Sequence, residues 1–101
     1  MKPGLALSGE ELSVVKAILR AHLPCSVTVH VFGSRACGQP KAWSDLDLLL
    51  EAAAPVPLSI IAALAEAFEE SALPWKVDIV DRKTVSAGFG QLIDQSKVVL
   101  L

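Results

Sequence analysis

At 101 residues the chain has the length of one compact domain, spanning 1–101, with no room for a second core. A formal net charge of -2 excludes the broad positive field that draws proteins onto nucleic acid or acidic membrane, so a bound polyanion must be held by a local device such as metal ions. Hydrophobic residues make up 52%, high for a small domain with a polar surface, and this points to apolar surface covered in a homo- or hetero-oligomer.

The N-terminal MKPGLALSGEE has no apolar core of signal-peptide length. Ser8 and Glu11 have the spacing of a capping box, and Leu12, Val15, Ile18 and Leu19 recur at helical spacing, which predicts a helix over 9–22 stopped by Pro24. Residues 26–32 are rich in β-branched side chains and read as a strand with Val27, Val29 and Val31 on one face. Two glycines, a proline and two basic residues make 33–44 a short helix or loop exposed to ligand.

Residues 45–51 alternate on a second strand, and 58–72 form a second long helix closed by Leu73-Pro74. The longest apolar stretches of the chain, around Ala52 to Leu58 and Ile60 to Ala65, are far shorter than the roughly 20 residues of a membrane span, so a cytoplasmic location is expected. Residues 76–81 are a third strand. Thr84 is a candidate cap for a helix reaching Ser96, weakened by Gly88 and Gly90, and the final KVVLL is either an edge strand or an apolar tail. This order predicts an α/β (α+β) domain with a small mixed sheet covered by helices. Strand order stays open, because the 33–44 link suits either strand direction. Cys25 and Cys37 fit neither a CxxC motif nor a zinc site and are expected to be free thiols in a reducing compartment.

The chemistry is concentrated in GSRACGQPKAWSDLDL, where Gly33-Ser34 is followed by ten residues and then Asp45-Leu46-Asp47. Two aspartates two apart on a strand project from the same face. Their mutual repulsion is relieved by a divalent cation, and magnesium prefers one or two carboxylates completed by water and substrate phosphates. Asp78, flanked by Val77 and Ile79 on the third strand, joins them if the second and third strands are neighbours. Three such carboxylates suit two ions about 3.5 to 4 Å apart, clamping the attacking and leaving oxygens of an in-line displacement at phosphorus. Gly33 lets backbone amides approach a phosphate, the Ser34 hydroxyl adds a donor, and Arg35 and Lys41 are candidates to neutralise a triphosphate.

This pattern, GS, ten residues, DxD and a later strand aspartate, resembles the signature of the polymerase β nucleotidyltransferase superfamily, and the short chain resembles its minimal MNT branch. The resemblance covers most of the chain, from the first helix through GSRACG, SDLDLLL and LPWKVDIVD to the last helix. It implies a polymerase β-like nucleotidyltransferase fold and transfer of a nucleoside monophosphate, AMP from ATP or its counterpart from another NTP, to an acceptor hydroxyl. Asp45 and Asp47 would hold two Mg2+ ions, Asp78 would bind the catalytic ion and help deprotonate the acceptor, and Gly33 and Ser34 would hold the β- and γ-phosphates. Two positions depart from the pattern: Cys37 stands where many relatives have a basic residue, and Arg82 follows Asp81 in place of something more apolar.

Relatives this short are typically encoded beside a small helical HEPN-like or substrate-binding protein, and in several pairs the nucleotidyltransferase is the antitoxin that adenylylates the toxin. The resemblance therefore implies such a partner, with no membrane and no direct nucleic acid. The alternatives are the catalytic subunit of a two-protein small-molecule nucleotidyltransferase and a non-catalytic module that neutralises a partner by contact. On the second long helix, Ile61, Leu64, Ala65 and Phe68 form the face expected to meet the sheet, which leaves Ile60, Ala63 and Ala67 as the expected partner surface. His30, His22, Trp43 and Trp75 read as structural.

Overall fold

The computed structural model describes residues 7–33 and 45–101. Helix α1 (Gly9–His22) begins as its sequence dictates: the Glu11 amide donates to the Ser8 hydroxyl at 3.1 Å, and the Ser8 amide donates to the Glu11 carboxylate at 3.0 Å. Acidic Glu10 and Glu11 occupy its first turn and basic Arg20 and His22 its last, each sign where the helix dipole favours it. Strand β1 (Thr28–Phe32) starts two residues later than expected, because the Val27 amide closes a turn onto the Pro24 carbonyl at 3.1 Å.

β1 runs antiparallel to β2 (Leu46–Glu51), with Val29 opposite Leu50 and Phe32 opposite Asp47. β2 runs parallel to β3 (Val77–Asp81), with Asp47 opposite Asp78. Parallel neighbours need a crossover, and helix α2 (Leu58–Glu69) supplies it. After β3 come helix α3 (Ala87–Ser96) and a two-residue strand, β4 (Val98–Val99), which pairs with the other side of β1. The C-terminal apolar run is thus an edge strand, and the sheet order is β3-β2-β1-β4.

Strand alternation gives the sheet two different faces. Val29, Val31, Leu46, Leu48 and Leu50, all fully buried, meet Val15 and Leu19 of α1 and Leu64 and Phe68 of α2. Each such side chain stabilises the fold by about 1.5–3 kcal/mol relative to leaving it in water. On the opposite face Phe32 and Leu49 pack against Ile93 of α3, with Val80 beside them. The result is a helix pair, a sheet and a third helix, the mixed sheet with helical cover expected from the element order. The helix or loop expected over 33–44 lies, beyond Gly33, outside the described residues.

Three local expectations are corrected. α2 stops at Glu69 rather than 72, because the Ser71 hydroxyl takes over the next turn, donating to the Phe68 carbonyl at 2.6 Å and accepting from the Leu73 amide at 3.3 Å. α3 is capped by Ser86, whose hydroxyl accepts from the Phe89 amide at 3.2 Å, while Thr84 donates its hydroxyl to the Asp81 carbonyl at 3.0 Å and belongs to the preceding turn. Ile60, Ala63 and Ala67 are half-buried rather than fully open to a partner, and Ile60 packs against the main core. Among the described residues, the large apolar side chains that do face solvent are Leu58, Phe89, Leu92 and Val99.

Asp81 is the one buried charged side chain among the described residues, at 5% exposure. Its carboxylate accepts from the Val56 amide at 2.8 Å and from the Lys83 amide at 2.9 Å, tying the segment before α2 to the end of β3. Asp81→Ala leaves a buried amide without an acceptor and should cost about 3 kcal/mol. Thermal unfolding followed by circular dichroism at pH 7 should show a drop of more than about 10 °C.

Candidate active site

Asp47 and Asp78 are direct register partners on neighbouring parallel strands, so both carboxylates leave the sheet on the face that α3 covers. Leu46, Leu48, Val77 and Ile79 alternate to the other face, where they join the main core. Asp45 sits one residue before β2 and is half-buried like Asp47, whereas Asp78 is exposed on the outer strand. Leu49, two residues beyond Asp47, and Phe32, opposite it, form an apolar floor with Ile93.

That environment holds Asp47 out of the ordinary carboxylate range. Its pKa is pushed up from 3.8 to about 6, first by burial, then by the charge of Asp78, then by that of Asp45, and finally by a hydrogen bond shared with the Asp78 side chain. Three acidic groups therefore interact at one end of the sheet. Among the described residues no three carboxylate, imidazole or thiol groups already stand as a metal cage. Asp47 and Asp78 are in hydrogen-bond contact, and Asp45 acts on Asp47 through its charge alone. A pair of hard oxygen donors with a third nearby fits magnesium, which takes few protein ligands and fills its octahedron with water and phosphate oxygens.

Gly33 stands where β1 ends, with φ 78°, in the left-handed region that suits glycine. Any Cβ there would fall on Oδ2 of Asp47. The glycine thus leaves the space that the carboxylate occupies. Ser34, Arg35 and Lys41, expected to bind phosphate, lie outside the described residues, as do Cys37 and Trp43. Cys25 is a free, exposed thiol.

Sequence reasoning missed an ionic chain farther along the same face, in which Lys97 Nζ lies 2.8 Å from Glu51 and 2.9 Å from Asp94, and Arg82 lies 3.3 Å from Asp94. His30 Nδ1 lies beside it, 3.0 Å from Glu51 Oε1. Burial lowers the His30 pKa, partly opposed by the Glu51 carboxylate, while hydrogen bonds to Glu51 and Asp94 raise that of Lys97. The Arg82 guanidinium lies over Gly90 so closely that a Cβ there would stand 2.5 Å from Cζ. Arg82 and Gly90, which looked like a departure and a helix weakness, are two halves of one contact that seats α3 on the sheet. A glycine in mid-helix, eight residues after an unexpected arginine, was the available signal.

A cavity of about 530 Å3 opens at the edge of β3, between that strand and the end of α2. Phe68, Glu69, Pro74, Trp75, Lys76 and Asp78 are among its lining residues. Asp78 thus has the acidic cluster on one side and an open, partly apolar recess on the other.

The comparisons with known proteins agree with this geometry. Residues 12–98 match the family model described as nucleotidyltransferase domain. MntA of Haemophilus influenzae, named a probable protein adenylyltransferase, is 43% identical over 96 residues, covering 95% of this chain and 83% of its own. Among solved structures, a toxin-antitoxin crystal structure with AMP-PNP superimposes with a TM-score of 0.74 at 26% identity, over 89% of this chain and 72% of that one. An MNT antitoxin in complex with the tri-AMPylated HEPN toxin of Shewanella oneidensis shares the fold, with a TM-score of 0.66 at 23% identity, over 89% of this chain and 68% of the other.

Proposed function

Because the chain belongs to the nucleotidyltransferase domain family, we propose that it is a metal-dependent protein adenylyltransferase that moves AMP from ATP to a hydroxyl of a HEPN-type helical partner, as the antitoxin of a toxin-antitoxin pair. The observation that carries this reading is the placement of Asp47 directly opposite Asp78, within reach of the charge of Asp45. The likeness to MntA supports protein as the acceptor, and the likeness to the AMP-PNP complex supports ATP as the donor. A cytoplasmic location belongs to the same reading; among the described residues no helix is long and apolar enough to cross a membrane.

In this mechanism Asp45 and Asp47 would hold two magnesium ions, and Asp78 would help to hold them. The ions, when bound, supply the positive charge that offsets the triphosphate and the developing charge at phosphorus. Gly33 leaves room for the Asp47 carboxylate, Gly33 and Ser34 present donors to the β- and γ-phosphates, and Arg35 and Lys41 add positive charge. The acceptor oxygen attacks the α-phosphorus, the bond to the β-phosphate oxygen breaks, and pyrophosphate leaves with the bonding pair. Asp78, exposed at the sheet edge, receives the hydroxyl proton.

Incubation of the partner with this protein, magnesium and ATP should add one or more AMP masses by intact-protein mass spectrometry. The double variant Asp45→Asn, Asp47→Asn should leave the partner unmodified. A wild-type reaction at saturating nucleotide with no protein adduct overturns the proposal, and a nucleotidylated metabolite in its place establishes a small-molecule transferase. Protection of cells by the double variant would establish a module acting by contact alone.

A further inference from the structure

β3 is the outermost strand on its side of the sheet, and its main-chain groups alternate in direction. The Leu46 amide donates to the Lys76 carbonyl at 2.8 Å and the Arg82 amide to the Leu50 carbonyl at 2.9 Å. In the observed parallel register this phase commits the main-chain groups of Asp78 and Val80 to β2 and turns those of Val77 and Ile79 outward. Among the described residues, the outward amides and carbonyls of Val77 and Ile79 meet no main-chain partner. Asp78 lies between them, exposed, and the cavity walled by Phe68, Trp75 and Lys76 adjoins the same edge.

We propose that the acceptor enters the site as an added strand: an extended, hydroxyl-bearing segment of the partner protein pairs with the free edge of β3 and sets its hydroxyl side chain opposite Asp78. This rests on the reading that the acceptor is a protein. Residues directly opposite on paired strands share a face, with Cβ atoms about 4.5–5.5 Å apart. A hydroxyl side chain facing Asp78 therefore emerges on the side of Asp47, where the α-phosphorus has to lie. The residues before and after it alternate to the other face, where Ala65 and Phe68 wall the cavity. Main-chain pairing holds the segment and the cavity selects its flanking side chains, the division of labour of strand addition. A helix fits this edge poorly, since its own amides and carbonyls are already paired.

Hydrogen exchange followed by NMR, on the free chain and on its complex with a co-expressed HEPN-type protein, tests this residue by residue. In the free chain the Val77 and Ile79 amides should exchange faster than those of Asp78, Val80 and Arg82. In the complex Val77 and Ile79 should slow by on the order of tenfold or more. Ile79→Pro removes an outward donor without touching the β2 ladder, a change that an edge strand tolerates. It should lower AMP transfer at least about tenfold while leaving magnesium-ATP affinity unchanged, whereas Ile79→Ala, which keeps the amide, should still transfer. An adduct formed while Val77 and Ile79 stay fast in the complex overturns strand addition and leaves the protein-acceptor reading standing. Protection without any adduct upholds the docking edge and overturns the transfer.

Discussion

Asp47→Asn is expected to abolish AMP transfer and yet to raise the melting temperature of the metal-free protein at pH 8. The Asp47 pKa, 3.8 in its ordinary state, stands at about 6 in the fold. The fold therefore favours the protonated form. Its stabilising contribution is fully present below about pH 4 and is lost as pH rises through about 6. At pH 8 the folded chain carries a carboxylate that burial, Asp78 and Asp45 all disfavour.

The full shift corresponds to about 3 kcal/mol, but Asp47 is only half-buried and solvent screens part of it, so the expected gain is about 1–2 kcal/mol. In a domain of this size that raises the melting temperature by roughly 5–10 °C. Asparagine keeps the shape and a hydrogen-bonding group for Asp78 while removing the charge. Scanning calorimetry of both proteins across pH should show the two curves converging below about pH 4. Millimolar magnesium should restore the wild type and leave the variant unmoved, since binding to the folded state alone stabilises it. A variant that melts below the wild type at pH 8 without metal would show that the carboxylates are not in conflict, and the case for a cation between them would fall.

The features readable in advance were those carried by local chemistry. The Ser8 and Glu11 pair placed the start of α1, and the alternation of Asp45, Leu46, Asp47 and Leu48 separated an acidic face from an apolar one. Whether Asp78 joins the first two aspartates depended on which strands are neighbours, in what direction and in what register. None of these is a local property. The link between β1 and β2 allowed either direction, and only the assembled sheet sets Phe32 and Asp78 on the two sides of Asp47.

The choice between Thr84 and Ser86 as the α3 cap was likewise non-local: both residue types cap helices, and the Asp81 carbonyl at the end of β3 claims the Thr84 hydroxyl. Arg82 and Gly90 could be understood only once α3 was folded back over the end of β3. The partner surface was misassigned for a related reason. The periodicity of α2 showed which side chains are apolar, but the packing of the folded chain decides which of them stay exposed.

Among the described glycines, Gly33→Ala should be the most damaging added methyl group. At φ 78° an L side chain is strained whatever the surrounding space, at a cost of about 1–2 kcal/mol. The added carbon also falls on Oδ2 of Asp47, so the carboxylate has to rotate away from its place beside Asp78. A displacement of about 1 Å in a catalytic group can lower a rate by about a hundredfold, and AMP transfer should fall by at least that much. Gly88→Ala is the matched control: a Cβ there meets nothing within 4 Å, and the exchange should stabilise α3 by about 0.5–1 kcal/mol. Melting curves of the two variants should therefore move in opposite directions from the wild type, and only Gly33→Ala should lose AMP transfer. If Gly33→Ala transfers AMP as fast as the wild type, the position of the Asp47 carboxylate at the end of β1 is not what the reaction depends on, and the acidic cluster loses its claim to be the catalytic centre.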